Sequence, residues 1–256
     1  MDTDRLTSDR YLAVVGVESA RLADAAEGLL DAPVPSCPGW DVATLVRHVA
    51  GVYRHTTLTV RLGAEPEPGG DAVPAVDPDP VLDLRLAAAE LVTQLTATDP
   101  AAACRTWAPE DQTQGFWFRR MAHESVVHRI DAELARSAAT TTDGATDVDV
   151  DVALDGVDEF LTMFVGGSWA EAGIVPQHPV DAAVRLTADG RSWTVHVDVD
   201  VVRTEPGADG DVDAEVAGGA GDLLAWVWGR VPVDGLSVSG DESAVAELRA
   251  RFAELS

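Results

Sequence analysis

The stretch Phe116–Glu133, FWFRRMAHESVVHRIDAE, holds the residues whose types and spacing best suit chemistry. It reads as one amphipathic helix. At ~100° per residue, Glu124 and His128 lie about one turn apart on one face, and Asp131 falls on the same stripe. Met121 and Val127 flank that stripe, which points its polar groups toward the interior. A carboxylate and an imidazole aimed at a core are costly unless paired or bound to a metal.

HESVVH looks like the HExxH of zinc proteases, but its histidines stand five residues apart. That spacing turns a regular helix by ~500° and leaves His123 and His128 about 140° apart, too far round to chelate one ion. The chelating pair is Glu124 and His128, and His123 faces elsewhere. A catalytic zinc takes three protein ligands and keeps one position open, so a third must come from another helix. In DVATLVRHVAGV, residues 41–52, Leu45, His48, Val49 and Val52 follow the helical i, i+3, i+4, i+7 rule. This places His48 within the apolar face. His55 points in nearly the same direction and is the reserve ligand. The competing account of His48 is a buried histidine bonded to a neighbour.

The elements that must position these residues read as follows. Thr7–Leu30 is a first helix, with Tyr11, Leu12, Val15, Leu22, Ala26 and Leu29 at helical spacing. A proline-rich turn, DAPVPSCPG, leads to Asp41 as N-cap of a second helix to about Leu62. A Gly/Pro/acid loop over Gly63–Pro80 precedes a third helix, Val81–Thr96, with Leu82, Leu86, Ala89, Leu91 and Leu95. The fourth helix starts near Thr113 to Phe116 and ends near Ala138. Four antiparallel helices with long middle connections point to a four-helix bundle, where metal sites are built from facing helices. Residues 1–139 form this domain.

Thr140–Val150, TTTDGATDVDV, is polar and acidic and reads as a linker. Residues 151–256 then form an α+β domain, since strands interleave with helices. Its predicted elements are a helix over Asp151–Val165, a strand at Val184–Thr187 and a strand over Ser192–Thr204. A short strand at Val212–Val216, an apolar helix over Gly221–Trp228, a strand at Leu236–Ser239 and a terminal helix over Glu242–Leu255 follow. Trp193, Val195, Val197 and Val199 share one strand face, and Asp189-Gly190 is a hairpin turn.

Composition sets the outer bounds. The formal net charge of −26 argues against nucleic acid and anionic membrane surfaces as partners, since both need clustered basic residues. Every basic side chain apart from histidine is arginine. Cys37 and Cys104 make neither a disulfide framework nor a CxxC site. The charged N-terminus lacks a signal-peptide core and no apolar run reaches the ~20 residues of a bilayer span, so the expected place is the cytoplasm. Oligomeric state stays open.

CPGWDVATLVRH (37–48) and DQTQGFWFRRMAHESVVHRIDAE (111–133) resemble the mycothiol-dependent maleylpyruvate isomerase family of actinobacteria. LLAWVWGR (223–230) matches more loosely. The resemblance implies a DinB-like metal-binding bundle followed by a small domain like that of sterol carrier proteins. It also implies zinc on His48, Glu124 and His128, mycothiol as thiol cofactor, and a functional arginine in the second domain, for which Arg230 is the match. Coordination would deprotonate the thiol, and the thiolate would add to an activated double bond. Return of the same thiol gives cis–trans isomerisation; loss of another group gives thiol transfer. Two other readings share the scaffold: a non-enzymatic metal or small-molecule binder, and a metal hydrolase that needs no thiol.

Further residues carry two readings each. Arg120, one turn before Glu124, would neutralise an anionic substrate or pair on the helix surface, and surface pairing is the expectation for Arg119. Asp131 would orient a ligand imidazole or pair with Arg129 or Arg136. Cys37 is read as packing near the site entrance. Trp40, Trp107, Trp117, Trp226 and Trp228 are expected in the core, and His178 and His196 at the surface.

Overall fold

The computed structural model describes residues 5–66, 77–140, 147–165, 181–197, 202–207 and 210–254. The chain divides into two compact units, Met1–Thr146 and Asp147–Ser256. Among the described residues no helix is long and apolar enough to cross a membrane.

Four helices build the first unit: α1 (Ser8–Ala26), α2 (Val42–Leu62), α3 (Pro80–Thr96) and α4 (Gly115–Thr140). Their starts follow from side chains that accept the orphan N–H groups of a first turn. Thr7 accepts from the Arg10 N–H, Asp41 from the Thr44 N–H at 2.7 Å, and Asp79 from Val81 and Leu82. Helix α1 stops at Ala26 rather than at the expected Leu30, and Gly28 follows with φ 73°. Helix α2 ends at Gly63, left-handed at φ 69°.

Helix α1 packs on α4 and α3, and α2 packs on α3 and α4. Thus α2 and α4 are neighbours although the whole of α3 lies between them in sequence. The core holds Tyr11, Val15 and Leu22 of α1, Leu45, Val49 and Tyr53 of α2, and Met121, Val126 and Ile130 of α4. Helix α3 departs from expectation. It buries Leu84, Ala87, Leu91 and Leu95 and leaves Leu82 and Leu86 exposed. Leucines occur on both sides of this helix, so spacing offers two apolar stripes. The buried Asp83, gripped by both arms of Arg54 on α2, belongs to the chosen side.

A second buried charge group ties α1 to α4. The fully buried Arg129 donates to Glu18 at 2.6 Å and to Glu133 at 2.7 Å, and Arg21 bonds both of those acids. Arg136 of α4 donates to the carbonyls of Asp24, Ala25 and Glu27 and so caps the end of α1.

The second unit runs α5 (Val150–Glu159), a π-helical turn (Phe160–Val165), β1 (Ala182–Ala188), β2 (Arg191–Val197), β3 (Val202–Pro206), β4 (Ala214–Gly218), α6 (Ala220–Val227), a 3-10 turn (Val233–Gly235), β5 (Ser237–Gly240) and α7 (Glu242–Ala253). The regular helix predicted through Val165 thus gives way to the π turn after Glu159. The sheet order is β3-β2-β1-β4-β5, with β1 and β4 parallel and the other pairs antiparallel. Asp189 and Gly190 take φ 44° and 84°, the paired left-handed geometry of a two-residue hairpin turn.

The single strand predicted over Ser192–Thr204 is two strands that fold back on each other, with Val197 opposite Val202 and Trp193 opposite Pro206. Alternation runs from Trp193 to Val201 and breaks only at the Val201-Val202 pair, the one sign of the reversal in the sequence. Val199 lies outside the described residues, as does His178. Trp193, Val195 and Val197 are buried as expected, together with Val184, Leu186 and Val216. Helix α7 covers β1 and β4. Phe160 anchors an aromatic cluster, its ring 4.7 Å from Trp228 and 5.1 Å from Phe252.

Candidate metal centre

Because α2 lies beside α4, His48 meets the Glu124/His128 face. Ligand atoms of His48, Glu124 and His128 all lie within 4.8 Å of one another. Glu124 Oε1 is 3.6 Å from His48 Nε2 and 3.1 Å from His128 Nε2. Ligands at ~2.0–2.1 Å from a tetrahedral zinc stand about 3.3 Å apart, so these separations suit one ion. Two imidazoles and a carboxylate are also a donor set that zinc, nickel and iron accept.

His48 does not sit within the apolar face of α2. Its side chain is 39 % exposed, against 15 % for Glu124 and 11 % for His128. It stands at the margin of the buried stripe, next to the exposed Arg47, and its ring closes the trio from the water side. The reserve residue His55 is exposed and takes no part. Seven residues carry it about 10 Å along the helix axis, although it points in nearly the same direction. His123 is buried and faces Tyr11 of α1 edge-on at 6.1 Å.

Asp131 is fully buried and accepts from His128 Nδ1 at 2.9 Å. That bond holds the Nδ1 proton and turns Nε2 toward Glu124, the usual support for a metal-binding imidazole. The same carboxylate accepts from the Ser36 hydroxyl at 2.6 Å and faces the Cys37 thiol at 3.7 Å. The proline-rich turn before α2 therefore holds Asp131, which holds His128. The role of this turn went unseen in the sequence, where only CPGW itself stood as a signal. The arginines weighed as partners of Asp131 bond elsewhere, Arg129 to Glu18 and Glu133 and Arg136 to the end of α1.

Arg120 is buried and its guanidinium donates to Glu124 Oε2 at 2.6 Å, leaving Oε1 to face both histidines. Arg119 is buried too, not on the helix surface as expected. Trp40 is half-buried beside His48, with ring centroids 5.0 Å apart, so it lines the site instead of the core. Trp107 is exposed and meets Phe116 edge-on, while Trp117, Trp226 and Trp228 are buried. Cys104 is buried and remote, its thiol near the Thr59 carbonyl. His196 is partly exposed across the strand pair from Glu205.

Burial pushes the Glu124 carboxyl up, but the His128 charge, hydrogen bonds from both histidines and the Arg120 charge outweigh it and hold the group well below the carboxylate range. Burial pushes His128 down, yet Glu124 and Asp131 outweigh it and raise the imidazole to about 9. Surroundings that favour a proton this strongly also favour a metal cation in its place.

Arg230 belongs to the second unit. Helix α6 ends in a Schellman motif, with Arg230 N–H on the Ala225 carbonyl and Gly229 N–H on the Trp226 carbonyl. Gly229 takes φ 77° there, a conformation that glycine adopts freely. The Arg230 side chain folds over Trp228, donating to its carbonyl at 2.5 Å.

Residues 15–133 match the mycothiol maleylpyruvate isomerase N-terminal domain, and residues 151–247 match the C-terminal domain of the same family. The chain belongs to the mycothiol maleylpyruvate isomerase family. One matched stretch falls in each compact unit. A crystal structure of the mycothiol-dependent maleylpyruvate isomerase is similar at TM-score 0.60 and 14% identity, covering 92% of this chain and 95% of that one. A histidine-to-alanine mutant of that enzyme gives TM-score 0.60 at 13% identity, with the same coverage. Sterol carrier protein 2 like 2 from Aedes aegypti aligns with 42% of this chain and 100% of its own, at 22% identity and TM-score 0.28. No curated protein sequence matches this chain. The family and the two-domain α+β fold expected from the sequence are those found.

Proposed function

We propose that this chain is a mycothiol-using cis–trans isomerase of small unsaturated dianions such as maleylpyruvate, with its metal on His48, Glu124 and His128. The observation that carries the reading is the convergence of those three ligand atoms within 4.8 Å, with His128 already turned by Asp131. Family membership supports the thiol and the reaction class.

A divalent ion held there, zinc by preference, would supply positive charge and lower the pKa of a thiol bound beside it. The chain's own residues do the rest. His48 and His128 each offer an Nε2 atom to the ion. Asp131 keeps the His128 proton on Nδ1. Arg120 occupies one oxygen of Glu124 and leaves the other to the trio. Trp40 walls the site beside His48. A thiol adding to a cis double bond beside a carbonyl makes that bond single; rotation and expulsion of the same thiol return the trans isomer. Neither Cys37 nor Cys104 is needed as nucleophile. A dianion must be held against the field of a chain with net charge −26, which calls for guanidinium groups. Arg230 is assigned to a substrate carboxylate, with Arg120 second.

The test is metal content by mass spectrometry alongside mycothiol-dependent loss of maleylpyruvate. The wild-type chain should carry one ion and turn over only with thiol. His48→Ala should lose both ion and activity while keeping its helix content. Arg230→Ala should keep the ion and fall roughly 10²-fold in kcat/KM. Full activity in metal-stripped protein would overturn the metal reading. Full metal retention in His48→Ala would remove His48 from the ligand set, and unchanged kinetics in Arg230→Ala would remove that arginine.

A further inference from the structure

The second unit contains a cavity between α7 and the segment that follows α6. Its volume is about 410 Å³, within the range of small-molecule sites. Trp226 of α6, Val231 to Val233 beyond it and Val238 of β5 form one side. The other side is a single stripe of α7, Glu242, Val245, Ala246 and Arg249, at i, i+3, i+4 and i+7. The walls are therefore apolar, and the charges sit at the two ends of the α7 stripe, about 10 Å apart along the axis. Glu242 is exposed and remains hydrated.

Arg249 is the unusual member. It is half-buried, and among the described residues its Nη1 is buried without a hydrogen-bond partner. Burial, and then the neighbouring Arg230 cation, make its proton easier to lose. In a chain with 44 acids against 18 basic residues, a guanidinium set beside another cation with a buried, unpaired donor is a departure. Such a donor costs stability unless something accepts from it. The guanidinium lies against Gly229, which has no Cβ and leaves room for it.

We propose that this cavity binds a small monocarboxylate with an apolar body. The carboxylate sits on Arg249, and the body lies against Trp226, Val231, Val238 and Val245. A bare inorganic anion would leave the apolar walls uncovered, and a hydroxyl-rich thiol would find too few polar partners there. The inference stands on the second unit alone and does not depend on the metal centre.

The test uses the full-length protein with sodium octanoate and 1-octanol, read by titration calorimetry and tryptophan fluorescence. Octanoate should bind at one site per chain, roughly tenfold or more tighter than octanol. Arg249→Met keeps the packing stem and should reduce octanoate to the level of octanol, with a melting temperature at or above that of the wild type. Val245→Trp, which fills the cavity, should abolish both, and it decides the matter if Arg249→Met fails to fold. Equal binding of octanoate and octanol, no binding of either, or full octanoate binding in Val245→Trp would overturn the proposal. So would loss of octanoate binding on metal removal, which would place that anion at the metal centre.

Discussion

His128 offers Nε2 to the trio because Asp131 occupies its Nδ1. This carboxylate is fully buried and is satisfied by Ser36, Cys37 and His128. Replacing it with alanine frees the ring to rotate and to change tautomer. Asp131→Ala should therefore weaken metal binding about 10–100-fold, read by competition against a chromogenic chelator. Asp131→Asn keeps an acceptor and should recover part of the loss. Equal affinity in all three proteins would show that the imidazole is held by packing alone. Glu124, His128 and Asp131 share one face of α4, because a regular helix converts spacing directly into direction. The surprise was His48, whose spacing suited the apolar face and whose side chain is the most exposed of the trio. A metal held there would need a coordination position open to water, which the margin of a stripe offers and its centre does not.

At the scale of the element, α2 and α3 are joined by the ion pair of Arg54 and Asp83. Burial pushes the Asp83 carboxyl up, but hydrogen bonds from Arg54 and the Asp77 N–H, with the Arg54 charge, outweigh it and lower the group below 3.8. A carboxyl depressed on folding stabilises the fold above its unfolded value. That contribution is lost as pH falls through the lower, folded value. The wild-type chain should therefore lose stability progressively below about pH 4. Arg54→Met removes the partner and leaves a buried carboxylate, costing about 3–5 kcal/mol at pH 7. With burial unopposed by Arg54, the Asp83 value rises, so the penalty should shrink toward pH 5, where protonation relieves it. Urea unfolding of both proteins at pH 5 and pH 7 measures this, and a penalty independent of pH would sink it. This pair also decided which stripe of α3 faces inward. Leucines on both sides of α3 made two faces eligible, and the partner that chose between them lies 29 residues away in the chain.

At the scale of the molecule, the three proposed metal ligands and Asp131 belong to the first compact unit. The fragment 1–146 should therefore fold as a helical protein and bind one ion with the affinity of the full chain, within about threefold. Circular dichroism and chelator competition check this. A fragment that folds but loses the ion would mean that a ligand comes from the second unit. Arg230 and the Arg249 cavity lie in the second unit, so the fragment should have no thiol-dependent turnover and no octanoate site.

The amino-acid sequence by itself determined what local geometry can express. Helix starts follow from Thr7, Asp41 and Asp79, each of which supplies an oxygen to its own next turn. The Glu124/His128 pair follows from 3.6 residues per turn, and the Asp189-Gly190 hairpin from residues that tolerate positive φ. The motifs around His48 and His128 also carried the family. Tertiary structure alone decided what depends on partners distant in the chain. It placed α2 against α4, tied Asp131 to the turn at Ser36, buried Arg119, and set Trp40 beside His48. It also split the stretch 192–204 into two paired strands, since alternation reports a face and not a reversal of direction. Local rules act within a turn or a strand, whereas these choices are settled by which surfaces lose their water together when the chain compacts.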